Sequence, residues 1–252
     1  MDSILGALRS SVERLRTTVG GLSDAQIEAP AYPAKWTIAD VLSHIGSGAV
    51  IMQRRLDDSL AKTSTPENFA PGVWGEWDAK TARAKADDAL VADLDLLQLI
   101  ESLSDGARSA FRLSMGPLEL DFHRFVAMRL NEHALHTWDI EVVIDPTATV
   151  PVEAATHVVD NLQIIARFTA KPTGSARVIA VRTVEPRRDF TVELSPDAVA
   201  LEASDDGRQP DLELPAEAFA RLVYGRLDPA HTPEVVGDFA ALEELRKVFP
   251  GP

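Results

Sequence analysis

Cysteine is absent from the 252 residues. Its absence removes disulfides, thiolate metal sites, iron–sulfur clusters and a cysteine nucleophile. Any thiol chemistry must therefore take its thiol from outside the chain. A cytoplasmic location is the default expectation for such a sequence. Basic residues are also scarce: Lys plus Arg number 25 against 39 Asp plus Glu, a formal net charge of −14. Binding to nucleic acid needs clustered cations that release counterions, so no nucleic-acid partner is expected. An anionic membrane surface is excluded on the same ground. No apolar run approaches the roughly 18 residues needed to span a bilayer. The first twenty residues lack a basic leader and break their apolar positions with charges, so no signal peptide is expected.

Ordinary globular composition remains, 45% hydrophobic and 25% charged. Leu5, Leu8, Val12, Leu15 and Val19 step by three and four, which predicts a first helix ending at Gly20-Gly21. Ser23 to Gln26 and Thr37 to Asp40 both fit the capping box that opens a helix. The second of these starts a helix predicted over 38–60, with Val41, Ile45, Met52 and Leu56 inward. The span 63–77 holds two prolines with Gly72 and Gly75 and reads as a long loop. A third helix is predicted over 78–103, its stripe Leu90, Leu94, Leu97 and Ile100, broken by Ser104-Asp105-Gly106. The turn Met115-Gly116-Pro117 then leads to a fourth helix over 119–144. Four such helices suggest a bundle. After Pro151 one more helix, 152–168, precedes a period-two pattern in which Phe190, Val192 and Leu194 alternate with polar residues. Strands are predicted over 177–184 and 198–203 beside it, and helices over 215–227 and 238–249. The expected class is α+β: a helical domain over 1–150 and a small α+β domain over 151–252.

The fourth helix carries an anomaly. Its inward stripe runs Phe125, Met128, Glu132, His136, Asp139 and Val143. Carboxylates and an imidazole replace core material in the middle of the stripe, and burying them requires compensation. Glu132 and His136 lie one turn apart on one face and can ligate one ion. His133 points about 100° away by helix geometry and is expected at the rim. His44 borders the buried face of the second helix, where Gly46 and Gly48 would leave space beside a site. His44, Glu132 and His136 form a two-His, one-carboxylate set, the composition of a catalytic zinc site with an open position. A Glu-x-x-x-His pair can equally be a simple hydrogen-bonded pair. Asp139, near His136, is a candidate acceptor for a ligand imidazole N–H. Trp36 and Trp138 are read as core residues flanking the site. Trp74 and Trp77 could form a lid or pack on the bundle. His123, His157 and His231 have no visible partners.

The segment from Tyr32-Pro33-Ala34-Lys35-Trp36-Thr37 through Asp40-Val41 to His44 resembles the W-T-x-x-D-V-x-x-H signature of the mycothiol-dependent maleylpyruvate isomerase family. Arg129 to Asp139 is similar to that family's R-x-x-E-x-x-x-H-x-W-D segment. Tyr224-Gly225-Arg226, Gly237-Asp238 and Phe249-Pro250-Gly251 resemble its C-terminal domain. The resemblance implies a DinB-like four-helix bundle followed by a sterol-carrier-like α+β domain. It implies a divalent metal, usually zinc, on His44, Glu132 and His136, and a catalytic role for Arg226. A surface arginine at a helix end is the alternative for Arg226. One departure is the loop Tyr32-Pro33-Ala34-Lys35, which lacks the cysteine often found there. The implied function is a cytoplasmic enzyme that uses mycothiol as thiol cosubstrate on a small carboxylate electrophile, as a cis–trans isomerase or a thiol S-transferase. The alternative is a non-catalytic small-molecule-binding protein whose metal is structural, closed by a fourth ligand such as His133 or Asp139.

Overall fold

The structure is a computed structural model that describes residues 1–32, 35–115, 118–205 and 207–251. Pro33 and Ala34 of the first motif, and Gly116 and Pro117 of the turn expected before the fourth helix, lie outside the described residues. The chain divides into two compact units, Met1–Asp145 and Pro146–Pro252, where the sequence suggested a division after residue 150. Among the described residues no helix is long and apolar enough to cross a membrane.

The first unit contains α1 (Asp2–Gly20), α2 (Asp24–Ile27), α3 (Ile38–Leu60), α4 (Phe69–Asp78), α5 (Ala82–Ser102), α6 (Asp105–Ala110), the hairpin β1 (Leu113–Met115) and β2 (Leu118–Leu120), and α7 (Phe122–Glu141). The four long helices close a ring: α3 packs on α5 and α7, and α1 packs on α5 and α7. Leu5, Leu8, Val12, Leu15 and Val19 are all buried, as their spacing predicted. Both capping boxes form. Ser23 accepts from the Gln26 amide while Gln26 receives the Ser23 amide. Thr37 does the same with Asp40, which fixes the start of α3.

Four expectations in this unit are corrected. The span 63–77 is not a loop throughout, because α4 begins at Phe69. Pro71 falls in its first turn, where a missing N–H costs nothing. The stripe of α5 is Ala86, Ala89, Asp93, Leu96, Leu97 and Ile100, with Leu90 and Leu94 only half-buried. Ser104 does not simply break a helix; its hydroxyl caps α6. The last long helix is also shorter than expected, from Phe122 to Glu141, which leaves Val143 exposed.

The second unit contains α8 (Val152–Val159), α9 (Leu162–Thr169), β3 (Arg177–Val184), β4 (Arg188–Leu194), β5 (Val199–Ala203), β6 (Leu212–Pro215), α10 (Ala216–Val223), β7 (Val236–Gly237) and α11 (Phe239–Val248). The sheet order is β5-β4-β3-β6-β7. Among the described residues only the β3–β6 pair is parallel. Phe190, Val192 and Leu194 of β4 are buried, which is the alternation read from sequence. The single helix expected over 152–168 is two helices, α8 and α9, parted at Asp160-Asn161. The chain is thus mixed α and β, a helical unit followed by a sheet unit.

Candidate metal centre

Two helices bring the site together. The Thr37 cap sets the phase of α3, and His44 follows two turns later. Glu132 and His136 stand one turn apart on α7. The Glu132 carboxylate lies 2.9 Å from His44 Nε2 and 3.5 Å from His136 Nε2. One ligand-capable atom from each of the three residues lies within 4.8 Å of the others. The two imidazole rings approach edge to face at 4.6 Å. The three residues expected as a ligand set are therefore adjacent in space.

Asp139 supplies the support behind the set. Its carboxylate is 2.8 Å from His136 Nδ1. A carboxylate only accepts, so Nδ1 carries the proton of this contact, while Nε2 faces Glu132. Burial pushes the Glu132 carboxyl up, but hydrogen bonds and charge from His136 and His44 outweigh it and hold the group well below the usual carboxylate range. Its side chain is still 42% open to solvent, so the ionised form is favoured on both counts. The donor set of two imidazole nitrogens and one carboxylate oxygen suits zinc, and its second-layer acceptor is in place.

The surroundings are aromatic on one side. The Tyr32 N–H donates to the Asp139 carbonyl at 3.0 Å, and its ring meets Trp138 at 4.7 Å. This ties the loop before α3 to α7. Trp36 on that loop stacks on His136 at 5.9 Å and tilts toward His44 at 5.5 Å. Trp36 is thus half-buried against both imidazoles, whereas Trp138 is fully in the core. Trp77 is buried and Trp74 is 51% exposed. Trp77 also accounts for Gly46: a Cβ there would lie 2.2 Å from the indole. Gly46 leaves room for a ring of the core, not for the site.

His133 does not lie at the rim. It is wholly buried, with Nδ1 2.8 Å from Ser11 Oγ and Nε2 2.7 Å from Asp93 Oδ2. Asp93 also accepts from Arg129 Nη2 at 2.6 Å. Burial pushes the Asp93 carboxyl up, but charge and hydrogen bonds from His133 and Arg129 hold it far below the usual range. Sequence reasoning missed this cluster. The signal was Asp93 itself, a carboxylate on the same face of α5 as Ala86, Ala89 and Ile100. His133 is occupied there, and Asp139 is occupied by His136, so neither stands as a fourth ligand in this structure.

Arg226 belongs to the second unit. α10 ends at Val223, and Gly225 takes a positive φ of 69° with its Cα pressed against Gly251, where any Cβ would collide at 2.1 Å. The Arg226 carbonyl and amide are held by the buried Arg221, which is itself paired with Glu217. The Arg226 side chain is buried, and its Nη1 donates to the Tyr224 carbonyl at 2.9 Å. Its place is thus not that of a surface arginine. His231, expected to have no partner, is 2.9 Å from Asp228.

Residues 8–141 match the sequence profile of the mycothiol maleylpyruvate isomerase N-terminal domain. The chain belongs to this family. Two crystal structures of the mycothiol-dependent maleylpyruvate isomerase, one of them a histidine-to-alanine variant, superpose with a TM-score of 0.66 over 89% of each chain. Identity is 13% and 12% for the variant, so these two establish the fold. A Geobacillus kaustophilus (strain HTA426) protein named "Putative metal-dependent hydrolase" is 34% identical over 122 residues, 48% of this chain. The match spans 63% of that protein's length.

Proposed function

We propose that the chain is a metal-dependent enzyme of the maleylpyruvate isomerase type, with mycothiol as its thiol cosubstrate and a small carboxylate-bearing electrophile as its substrate. The observation that carries this reading is the convergence of His44, Glu132 and His136 in a member of that family, with Asp139 behind His136. These three residues would hold a divalent metal, zinc by its donor preference. A metal bound there supplies the charge that lets a thiol lose its proton at neutral pH.

The chain's own residues do the rest. Asp139 keeps His136 in one tautomer and one orientation. Trp36 covers the imidazole faces and limits water there. Addition of the thiolate sulfur to one carbon of a conjugated cis alkene sends the electron pair to the neighbouring carbonyl. The resulting single bond rotates, and the returning electron pair expels the sulfur, which restores the alkene as trans and regenerates the thiolate. A transferase would instead protonate and release the adduct. Either course needs a cation for the substrate carboxylate, because the net charge of −14 opposes an anion. Arg226, matched through the family, is proposed for that role. The proposed setting is cytoplasmic.

The test assays metal-loaded protein with and without mycothiol against a panel of electrophiles that includes maleylpyruvate. Turnover that requires both metal and thiol is expected. Hydrolysis of an ester or amide without thiol would favour the activity in the relative's name. Metal retention with no turnover of any kind would favour the binding-protein alternative.

A further inference from the structure

We propose that Arg129 forms an anion subsite in the cavity beside the triad, where it positions the carboxylate of a ligand whose body is apolar. The consequence for catalysis rests on the metal-enzyme reading above; the binding itself rests on this geometry. A cavity of about 270 Å3 is lined by His44 and Glu132 together with Ile51, Phe125 and Met128. Arg129 is set into its wall, three residues before Glu132 on α7. Arg129 is 2% exposed. Nη2 donates to the Ile45 carbonyl at 3.1 Å and to Asp93 at 2.6 Å, which fixes the plane of the group. Nε has no acceptor among the described residues.

A buried cationic donor left without an acceptor is rare and costly, and a ligand or water in an adjoining cavity is the usual remedy. Gly48 lines the cavity too, and a Cβ there would stand 3.4 Å from Arg129 Nη1. With glycine at 48 no side chain of α3 covers the guanidinium at that point. Asp93 engages only Nη2 of the group, its other oxygen being taken by His133. A planar fork in an apolar wall selects a carboxylate over a neutral group of equal shape. Arg55 of α3 lines the same cavity and adds positive charge.

The experiment titrates the full-length protein, stripped of metal by a chelator, with benzoate and with benzyl alcohol, followed by calorimetry. Benzoate is expected to bind about tenfold or more tightly than the alcohol, the preference of a charge-assisted contact. Gly48→Leu, which places a side chain over the guanidinium and leaves the Arg129–Asp93 pair intact, should abolish the preference with its melting temperature and metal content retained. Arg129→Lys should keep only part of it. Equal binding of acid and alcohol, binding of neither, or an unchanged preference in Gly48→Leu would overturn the subsite. So would benzoate binding that appears only after metal is restored, since the carboxylate would then sit on the metal. Failure of thiol-dependent turnover in the wild-type protein would remove the enzymatic reading without changing any of these binding results.

Discussion

His133 and His136 stand three residues apart on one helix, and the molecule puts them to opposite uses. His133 is closed on all sides: Ser11 on α1, Asp93 on α5 and Arg129 on its own helix complete a buried network. His136 has one nitrogen committed to Asp139 and the other turned toward Glu132 and His44. The closed cluster joins three helices of the bundle. In the open cluster, three donors face one another. A helix turns 300° over three residues, so the two rings leave the axis about 60° apart. What separates structure from chemistry is therefore which neighbour each ring meets, not its residue type.

The largest effect expected from this contrast is on the closed side. Asp93→Ala should destabilise the fold by about 3–5 kcal/mol, because Arg129 and His133 lose their shared buried carboxylate. Denaturant unfolding measures this. The sign with pH follows from the depressed folded value. Asp93 normally titrates near 3.8. Below that range the unfolded chain takes up a proton that the folded chain refuses, so acid favours unfolding. Its stabilisation is complete above that value and is lost as pH falls toward the folded value. In Asp93→Asn the acid limb of the stability curve should flatten; an unchanged limb would remove Asp93 from the account.

On the open side, Asp139→Asn should weaken metal affinity about ten- to a hundredfold, the usual cost of losing a ligand's supporting acceptor. A competitive chelator titration reads it. If affinity is unchanged, His136 is oriented by packing alone. Arg226→Ala should lower kcat/KM by roughly ten- to a hundredfold while metal content stays intact, the size of a lost charge-assisted contact. Arg226→Lys should recover part of this. Near-normal kcat/KM in Arg226→Ala would mean that the carboxylate is held elsewhere. The smallest change is at the entrance to α3: Thr37→Ala should cost about 1 kcal/mol of stability, with metal still bound. A cap that also cost metal would show that His44 depends on the first turn of its helix.

Much of this contrast was legible in the residues, and the rest was hidden for physical reasons. Thr37 and Asp40 announced the start of α3, and with it the phase of His44. The period of four between Glu132 and His136 placed both on one face. The role of His133 was not legible, because α7 buries fifteen of its twenty residues. A helix enclosed on most sides has no single inward stripe, so spacing alone cannot say which side is the rim. Asp93 was overlooked because the leucines of α5 define a plausible stripe one residue out of phase with the alanines that are buried. In α4, Pro71, Gly72 and Gly75 are loop signals that a first-turn proline and two unobstructed glycines do not obey. The strands β6 and β7 span four and two residues, too few for a period to be read. The pairing of Glu132 and His136 was recognisable because helix period alone puts both on one face. The closed cluster was not, because only packing defines it.

The most direct measurement compares metal content after removal of each histidine. Purified His136→Ala, His44→Ala and His133→Ala proteins are loaded with zinc, dialysed and analysed for metal per chain, with folding followed in parallel. His136→Ala and His44→Ala are expected to remain folded and lose the metal. His133→Ala should hold about one ion per chain, as the wild type does, yet melt at a lower temperature. Metal retained in both His44→Ala and His136→Ala, or lost from a folded His133→Ala, would contradict the assignment of the open cluster as the metal centre.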